Sequence, residues 1–281
     1  MPAAPPADPL TLGIMTFNLR FASARRPHSW AQRRPVMRKL LRGESPQLIC
    51  TQEGLDQQLR DIEEDLGAGY AWIGTGRDGG RRGEFAAVYY DTGRLVPLEH
   101  DHFWLSQTPR IAGSRDRYAV KEDRAGSTRM ATCVRFSVRD TASEFYVLNT
   151  HLDNRSRTAR RRAATQLVRY LASELDPALP RIVTGDFNAP AAVGADVYDT
   201  MLTAGNLVDS WTQAARRGEL YATWHGYQGL VPGGTRIDWI LTSPEVVTRY
   251  AAINTYNDED QYASDHLPVQ AVITLPQTGR P

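Results

Sequence analysis

Six short stretches set polar side chains at the edges of apolar runs. They are Thr16-Phe17-Asn18, Gln52-Glu53, the run from Asn149 to Asp153 with His151 and Asp153, the run from Gly185 to Asn188 with Asp186 and Asn188, the run from Arg236 to Ile240 around Asp238, and the run from Ser264 to Val269 with Asp265 and His266. Loops at strand ends are where a rigid scaffold presents reactive groups, so carboxylates, amides and imidazoles in those places need a chemical explanation. Carboxylate and amide oxygens suit a hard cation such as Mg2+, which keeps other positions for water and phosphate oxygens. A carboxylate or imidazole within hydrogen-bond reach of water can take its proton. Together the groups would equip a site for cation-assisted hydrolysis. Singly, each has a plainer reading: an Asp or Asn after a strand is commonly a turn or capping residue, and a buried His is commonly a hydrogen-bonded structural one. The weight lies in the set and its order.

The elements that would carry these groups follow from periodicity. Strands are expected at Thr11–Leu19, Gln47–Gln52 (delivering Glu53), Ala71–Ile73, Phe85–Tyr90, Leu95–Leu105, Met130–Val138, Glu144–Thr150, Arg181–Thr184, Arg236–Leu241, Thr248–Ile253 and Val269–Leu275. Apolar residues at helical spacing predict helices over Ala31–Leu41 with a stop at Gly43, Asp56–Leu66 closed by Gly67 and Gly69, Ser156–Leu175, and Asp196–Ala204. Strands outnumber helices and the two are mixed along the chain, which predicts an α/β or α+β domain of sheets covered by helices.

The 281 residues are 41% hydrophobic and 23% charged, enough to bury a large core and to exclude disordered and fibrous classes. No Pro/Gly/Ser-rich linker divides the chain, so one domain is expected over 11–276, with tails at 1–10 and 277–281. A net charge of +1, from 33 basic and 32 acidic residues, provides no global field for a polyanion, so bulk duplex DNA binding is not expected. Cys50 and Cys133 lie in strand-like runs and read as core thiols. The first ten residues lack the basic start and apolar middle of a signal peptide, which fits a cytoplasmic protein or a secreted one with its leader removed. No apolar run is long enough for a transmembrane segment, and a monomer is expected.

The ordered series of six motifs, from about Leu12 to about Leu275, resembles the endonuclease/exonuclease/phosphatase superfamily, which includes DNase I, inositol polyphosphate 5-phosphatases, neutral sphingomyelinases and nocturnin-like deadenylases. The resemblance implies a DNase I-like four-layer sandwich, two packed mixed sheets flanked by helices. It also implies a Mg2+-dependent phosphoesterase, with Mn2+ as a substitute, acting on a phosphorylated small molecule or a nucleic-acid end. By the same resemblance Asn18, Glu53 and Asp265 stand near the metal, Asp186 activates water with Asn188 beside it, and His266 binds the scissile phosphate with Asp238 as its carboxylate partner. His151 is similar to the histidine of the DNase I, sphingomyelinase and deadenylase branches, where abasic-site endonucleases have tyrosine. It would protonate the leaving group or stabilise the pentavalent state. Asp153 is either its orienting partner or a turn residue.

Arg129 and Arg155 are candidates for holding a terminal phosphate, because a guanidinium fork matches its oxygens. Trp224 and His225 are candidates for stacking on a substrate, whereas Trp104 also reads as core. A competing assignment is a zinc hydrolase built on His151, Asp153, Asp265 and His266, but it leaves Asn18, Glu53, Asp186, Asn188 and Asp238 without a task. A catalytically silent binding module of the same fold would lack a central residue, and none is missing.

Overall fold

The computed structural model describes residues 10–122 and 127–277, so the tails expected over 1–10 and 277–281 lie, but for Leu10 and Gln277, outside the described residues. The strands are β1 (Thr11–Asn18), β2 (Leu48–Leu55), β3 (Tyr70–Ile73), β4 (Glu84–Asp91), β5 (Leu95–Trp104), β6 (Met130–Val138), β7 (Glu144–His151), β8 (Arg181–Asp186), β9 (Val208–Asp209), β10 (Arg216–Arg217), β11 (Asp238–Thr242), β12 (Val247–Ile253), β13 (Asn257–Asp258), β14 (Gln261–Tyr262) and β15 (Val269–Thr274). One sheet runs β10-β12-β15-β1-β2-β4-β3 and the other β5-β6-β7-β8-β11-β9. Helices α1 (Trp30–Glu44), α2 (Asp56–Leu66), α3 (Arg117–Glu122) and α4 (Arg157–Ser173) precede the single turns α5 (Asp196–Asp199) and α6 (Ser210–Gln213).

The two-residue period of the strands sorts apolar side chains into two sets. Leu12, Ile14, Leu48, Cys50 and Val88 of the first sheet meet Val134, Phe136, Val147, Ile182 and Ile240 of the second. The alternate residues Met15, Phe17, Ile49 and Tyr89 face Met37, Leu40, Leu59 and Ile62 of α1 and α2. On the far side Leu148, Val183 and Trp239 pack on Ala164, Leu167 and Leu171 of α4. The result is four layers, helix on sheet on sheet on helix. Strands buried on both faces carry no polar alternation, which is why they read as unbroken apolar runs. Each buried Val, Leu, Ile, Phe or Met side chain among them contributes about 1.5–3 kcal/mol through burial.

One polar network crosses the interface between the sheets. Gln52 Nε2 donates to Asn149 Oδ1 at 2.7 Å and Thr16 Oγ1 at 3.1 Å, while Asn149 Nδ2 donates to the Thr51 and Ala87 carbonyls at 2.8 and 2.9 Å. Sliding one sheet over the other would leave these buried amides unpaired, so the network fixes the registry of the two sheets below the polar strand ends.

Several boundaries differ from expectation for local reasons. Helix α1 passes through Gly43 and closes at Ser45, which takes a left-handed conformation and donates its N–H to the Leu41 carbonyl. The helix expected over Asp196–Ala204 is one α turn followed by a π turn, Thr200–Ala204. Strand β11 starts at Asp238 because Arg236 turns aside to pair with Asp209 at 2.5 Å in the interior. Cys50 and Cys133 are free and buried, and burial pushes each thiol up to about 12, so both are unreactive at neutral pH. Among the described residues no helix is long and apolar enough to cross a membrane.

Candidate active site

The topology brings all six motifs to one end of the sandwich. Parallel strands β1 and β2 end together, with Asn18 opposite Gln52, and β7 and β8 end together, with His151 opposite Asp186. Their antiparallel neighbours begin at that same end: β11 starts with Asp238 opposite Asp186, and β15 starts at Val269 just after Asp265 and His266. Strand register therefore brings Asn18, three carboxylates and two imidazoles together from stretches up to about 250 residues apart in the chain.

The focus is one atom, Asp186 Oδ2. Asn18 Nδ2 donates to it at 3.0 Å, His151 Nε2 lies 3.4 Å away and His266 Nε2 3.8 Å away. The other carboxylate oxygen accepts the Asn188 backbone N–H at 2.9 Å. Burial, then the charge of Asp238, raise the Asp186 carboxyl to about 7, against the opposing effects of His266 and the two amide donors. A carboxylate whose affinity for a proton is near neutrality is matched to accepting one from water.

The two histidines hold opposite states. His266 Nδ1 donates to Asp238 Oδ2 at 2.9 Å. Burial opposes its charge, yet Asp238, with Asp186 and Asp265 behind it, raises the imidazolium to about 10. His151 is driven well below its usual value by burial and by the Arg129 cation. Arg129 Nη1 donates to His151 Nδ1 at 2.8 Å, and a guanidinium can only donate, so Nδ1 carries the lone pair and Nε2–H points to Asp186. The site thus pairs a cationic donor with a neutral one. Replacing Arg129 by Met removes the group that selects this tautomer. The expected result is a fall in kcat of about 10-fold or more, part of the 10²–10⁴ that a positioned group supplies, with a His151 imidazole NMR titration moved to higher pH.

Glu53 reaches the site through a distortion. Strand β2 continues past it to Leu55, with an irregular register between Thr51 and Gly54, and Glu53 itself has φ +62°. Such a bulge turns one side chain off the sheet face, and a strained non-glycine residue at a strand rim belongs to sites that need the side chain aimed. Gly54 must lack a side chain because a Cβ there would stand 2.6 Å from Leu59.

Other expected residues land differently. Arg129 is buried and not on the open surface, and besides His151 Nδ1 it donates to Asn154 Oδ1 at 3.3 Å. His225 is buried, with Nε2 donating to the Ser264 carbonyl and Nδ1 accepting from the Tyr227 N–H, so its ring has no edge for a substrate. Asp153 is a turn residue, accepting the N–H groups of Arg155 and Ser156 ahead of α4. Trp104 is core, and its indole donates to the Arg77 carbonyl. Arg155 and Trp224 are exposed; Trp224 is 53% accessible and its backbone pairs with that of His266 at the rim. Asn18 faces the cluster through its nitrogen, because its oxygen accepts the Arg20 N–H, so it bridges the carboxylates of Glu53 and Asp186 as a donor.

Two positioning residues carry no signal in the sequence. Arg33 looks like one more solvated arginine in α1, yet it is fully buried and donates to the carbonyls of Leu19, Arg20, Phe21, His28 and Ala263, tying down the loop after Asn18. Thr223 Oγ1 accepts the N–H groups of Ile237 and Asp238.

Two acid groups compete for a cation. Asp186, Asp238 and His266 offer ligand atoms within 4.8 Å of one another, but an imidazolium has no lone pair to give. Glu53 and Asp265 are only partly buried, and Asn18 and Ser264 connect them: Asn18 donates to Glu53 at 3.1 Å, while Ser264 Oγ lies 2.6 Å from the Asn18 carbonyl and 3.3 Å from Asp265. Hard oxygens with open faces fit a Mg2+ ion that keeps several waters.

The profile of the Endonuclease/Exonuclease/phosphatase family matches residues 15–266. The mannosyl-6-phosphatase of Bacteroides thetaiotaomicron VPI-5482 superimposes with a TM-score of 0.84 at 32% identity, over 94% of this chain and 99% of its own. An endonuclease/exonuclease/phosphatase family protein from Bacteroides thetaiotaomicron gives 0.86 at 30%, over 95% and 98%. The human Nocturnin catalytic domain with bound sulfate shares the fold, with a TM-score of 0.73 at 18% identity over 95% of each chain. No curated protein matches the chain in sequence. A profile that reaches all six motifs, and structural relatives of 30% identity or more over nearly the full length, place the sequence: the chain belongs to the Endonuclease/Exonuclease/phosphatase family.

Proposed function

We propose that the protein is a Mg2+-dependent phosphoesterase that hydrolyses the P–O bond of a phosphorylated small molecule with water activated by Asp186. The observation that carries this reading is the focus of Asn18, His151 and His266 on Asp186 Oδ2. In the reaction Asp186 orients the water and accepts its proton as the new P–O bond forms. The His266 imidazolium, the His151 Nε2–H and the second hydrogen of the Asn188 side-chain amide, whose first donates to the Leu152 carbonyl at 3.0 Å, hold the non-bridging oxygens, whose charge grows in the transition state. Glu53 and Asp265, with Asn18 ordering Glu53, would hold a Mg2+ or Mn2+ ion, which would supply polarisation of the phosphoryl group and charge neutralisation at the leaving oxygen. A small substrate is favoured over a nucleic-acid end by the net charge of +1 and by similarity to a protein named as a mannosyl-6-phosphatase. Trp224 and Arg155 stand at the rim as outer contacts.

A panel of sugar phosphates, bis-p-nitrophenyl phosphate, DNA and RNA, assayed with Mg2+ or Mn2+, tests the proposal. Stripping the metal and adding EDTA is expected to lower turnover by at least about 10²-fold, since a bound cation supplies several kcal/mol of charge stabilisation, and Mg2+ is expected to restore it. Undiminished turnover in EDTA would refute cation dependence. Stoichiometric, tightly held zinc would transfer the case to the zinc hydrolase.

A further inference from the structure

An open cleft adjoins the site, walled by Glu53, Arg77, Glu84, Arg129, Met130 and His151. Arg77 Nη1 and Glu84 Oε2 pair at 2.6 Å in its wall, each side chain about one-fifth exposed, at 23% and 19%. The pair is preassembled. The Arg77 N–H donates to the Glu84 carbonyl at 2.9 Å, the Trp104 indole holds the Arg77 carbonyl, and the connecting loop closes on Gly76, where a Cβ would collide with the Arg82 carbonyl at 2.1 Å. Nothing in the hydrolytic steps above uses it. Beside it Arg129 is 92% buried, from 8% accessibility, and its Nε has no partner among the described residues.

Resting on the phosphoesterase reading, we propose that Arg77 and Glu84 form a subsite that reads adjacent hydroxyl groups on the phosphate's organic moiety, so that the preferred substrate is a sugar monophosphate. A hydroxyl donates one hydrogen bond and accepts others, whereas a carboxylate only accepts and a guanidinium only donates. Two neighbouring hydroxyls therefore satisfy both members of the pair at once, with charge-assisted bonds. The cleft is open to solvent and bordered by Glu53 and His151, so a phosphate held among Glu53, His151 and Asp186 would bring the hydroxyls of its organic moiety to the pair. A nucleobase would need an open aromatic face, and Phe85, in the wall beside the His151 imidazole, is buried.

The test compares kcat/KM for mannose 6-phosphate and glucose 6-phosphate with that for p-nitrophenyl phosphate, which has no adjacent hydroxyls. In Glu84→Gln the ratio of sugar ester to aryl ester is expected to fall at least about 10-fold, mainly through KM, as for the loss of a charge-assisted hydrogen bond. Arg77→Gln, on a partly exposed side chain, gives the same readout should Glu84→Gln fail to fold. An unchanged ratio in an active variant, or a parent with no preference for the sugar esters, would overturn the subsite and leave the phosphoesterase intact. A parent inactive on every phosphate ester would overturn the function on which the subsite rests.

Discussion

Asp186→Asn is expected to lower kcat by at least about 10²-fold on any phosphate ester the parent hydrolyses, without lowering the melting temperature at pH 7. The substitution keeps the shape of the side chain and an acceptor for the Asn18 amide or the Asn188 N–H, but removes the group that takes the proton of water. The stability half follows from the sign of the shift. Burial and Asp238 raise this carboxyl from 3.8 to about 7, so between those values the folded chain holds a proton that the unfolded chain releases. Stability then falls as pH rises through that window, because the fold disfavours the ionised form. A neutral amide carries no such cost, so the variant's melting temperature gains on the parent's between pH 4 and pH 7. This is the pattern of a group kept for activity at the expense of stability. For the same reason kcat/KM of the parent should decline below about pH 7. Near-normal turnover in folded Asp186→Asn protein, or a melting temperature several degrees lower at pH 7, would defeat the assignment.

The central cluster was legible in the sequence because strand order does most of the positioning. Asn18, His151, Asp186 and Asp238 each occupy the terminal residue of a strand, so any packing that pairs β1 with β2, and β7 with β8 and β11, gathers them. The layered α/β class was legible for a related reason: strands sealed on both faces leave long apolar runs. The failures have physical causes. His225 and His266 look alike locally, each a histidine in a polar loop, and only the fold shows one ring consumed by backbone groups and the other facing Asp238. Arg129 and Arg33 belong to a residue type that is normally solvated, and nothing local announces that burial will turn them into orienting groups. The left-handed turn at Glu53 is equally silent, since a glutamate in that conformation is held by its surroundings and not by its own preference. Arg77 and Glu84 are seven residues apart across a glycine-rich loop, and their pairing depends on how that loop folds back.

The second large effect concerns a pair that acts as one unit. His266→Gln is expected to lower kcat by about 10²–10³-fold, Asp238→Asn by less, and the double variant by no more than His266→Gln alone, because Asp238 works only through the imidazole it holds. Stability should order the same proteins differently. Asp238 is fully buried and its Oδ1 has no hydrogen-bond partner among the described residues, so its charge is answered chiefly by His266 at 2.9 Å. Removing the imidazolium leaves a buried carboxylate without its cation, a loss on the order of 3–5 kcal/mol, and adding Asp238→Asn should recover part of it. The pH profile separates the roles further. Asp238 raises His266 to about 10 against the effect of burial, so the charged form persists to about 10, while the stability it contributes is complete below the ordinary value of 6.5 and is lost progressively as pH rises from there through 10. Without that carboxylate burial prevails, and the alkaline limb of kcat/KM should move to lower pH in Asp238→Asn. Additive losses in the double variant, together with an alkaline limb that stays where the parent has it, would show that Asp238 and His266 do not form the phosphate-binding couple.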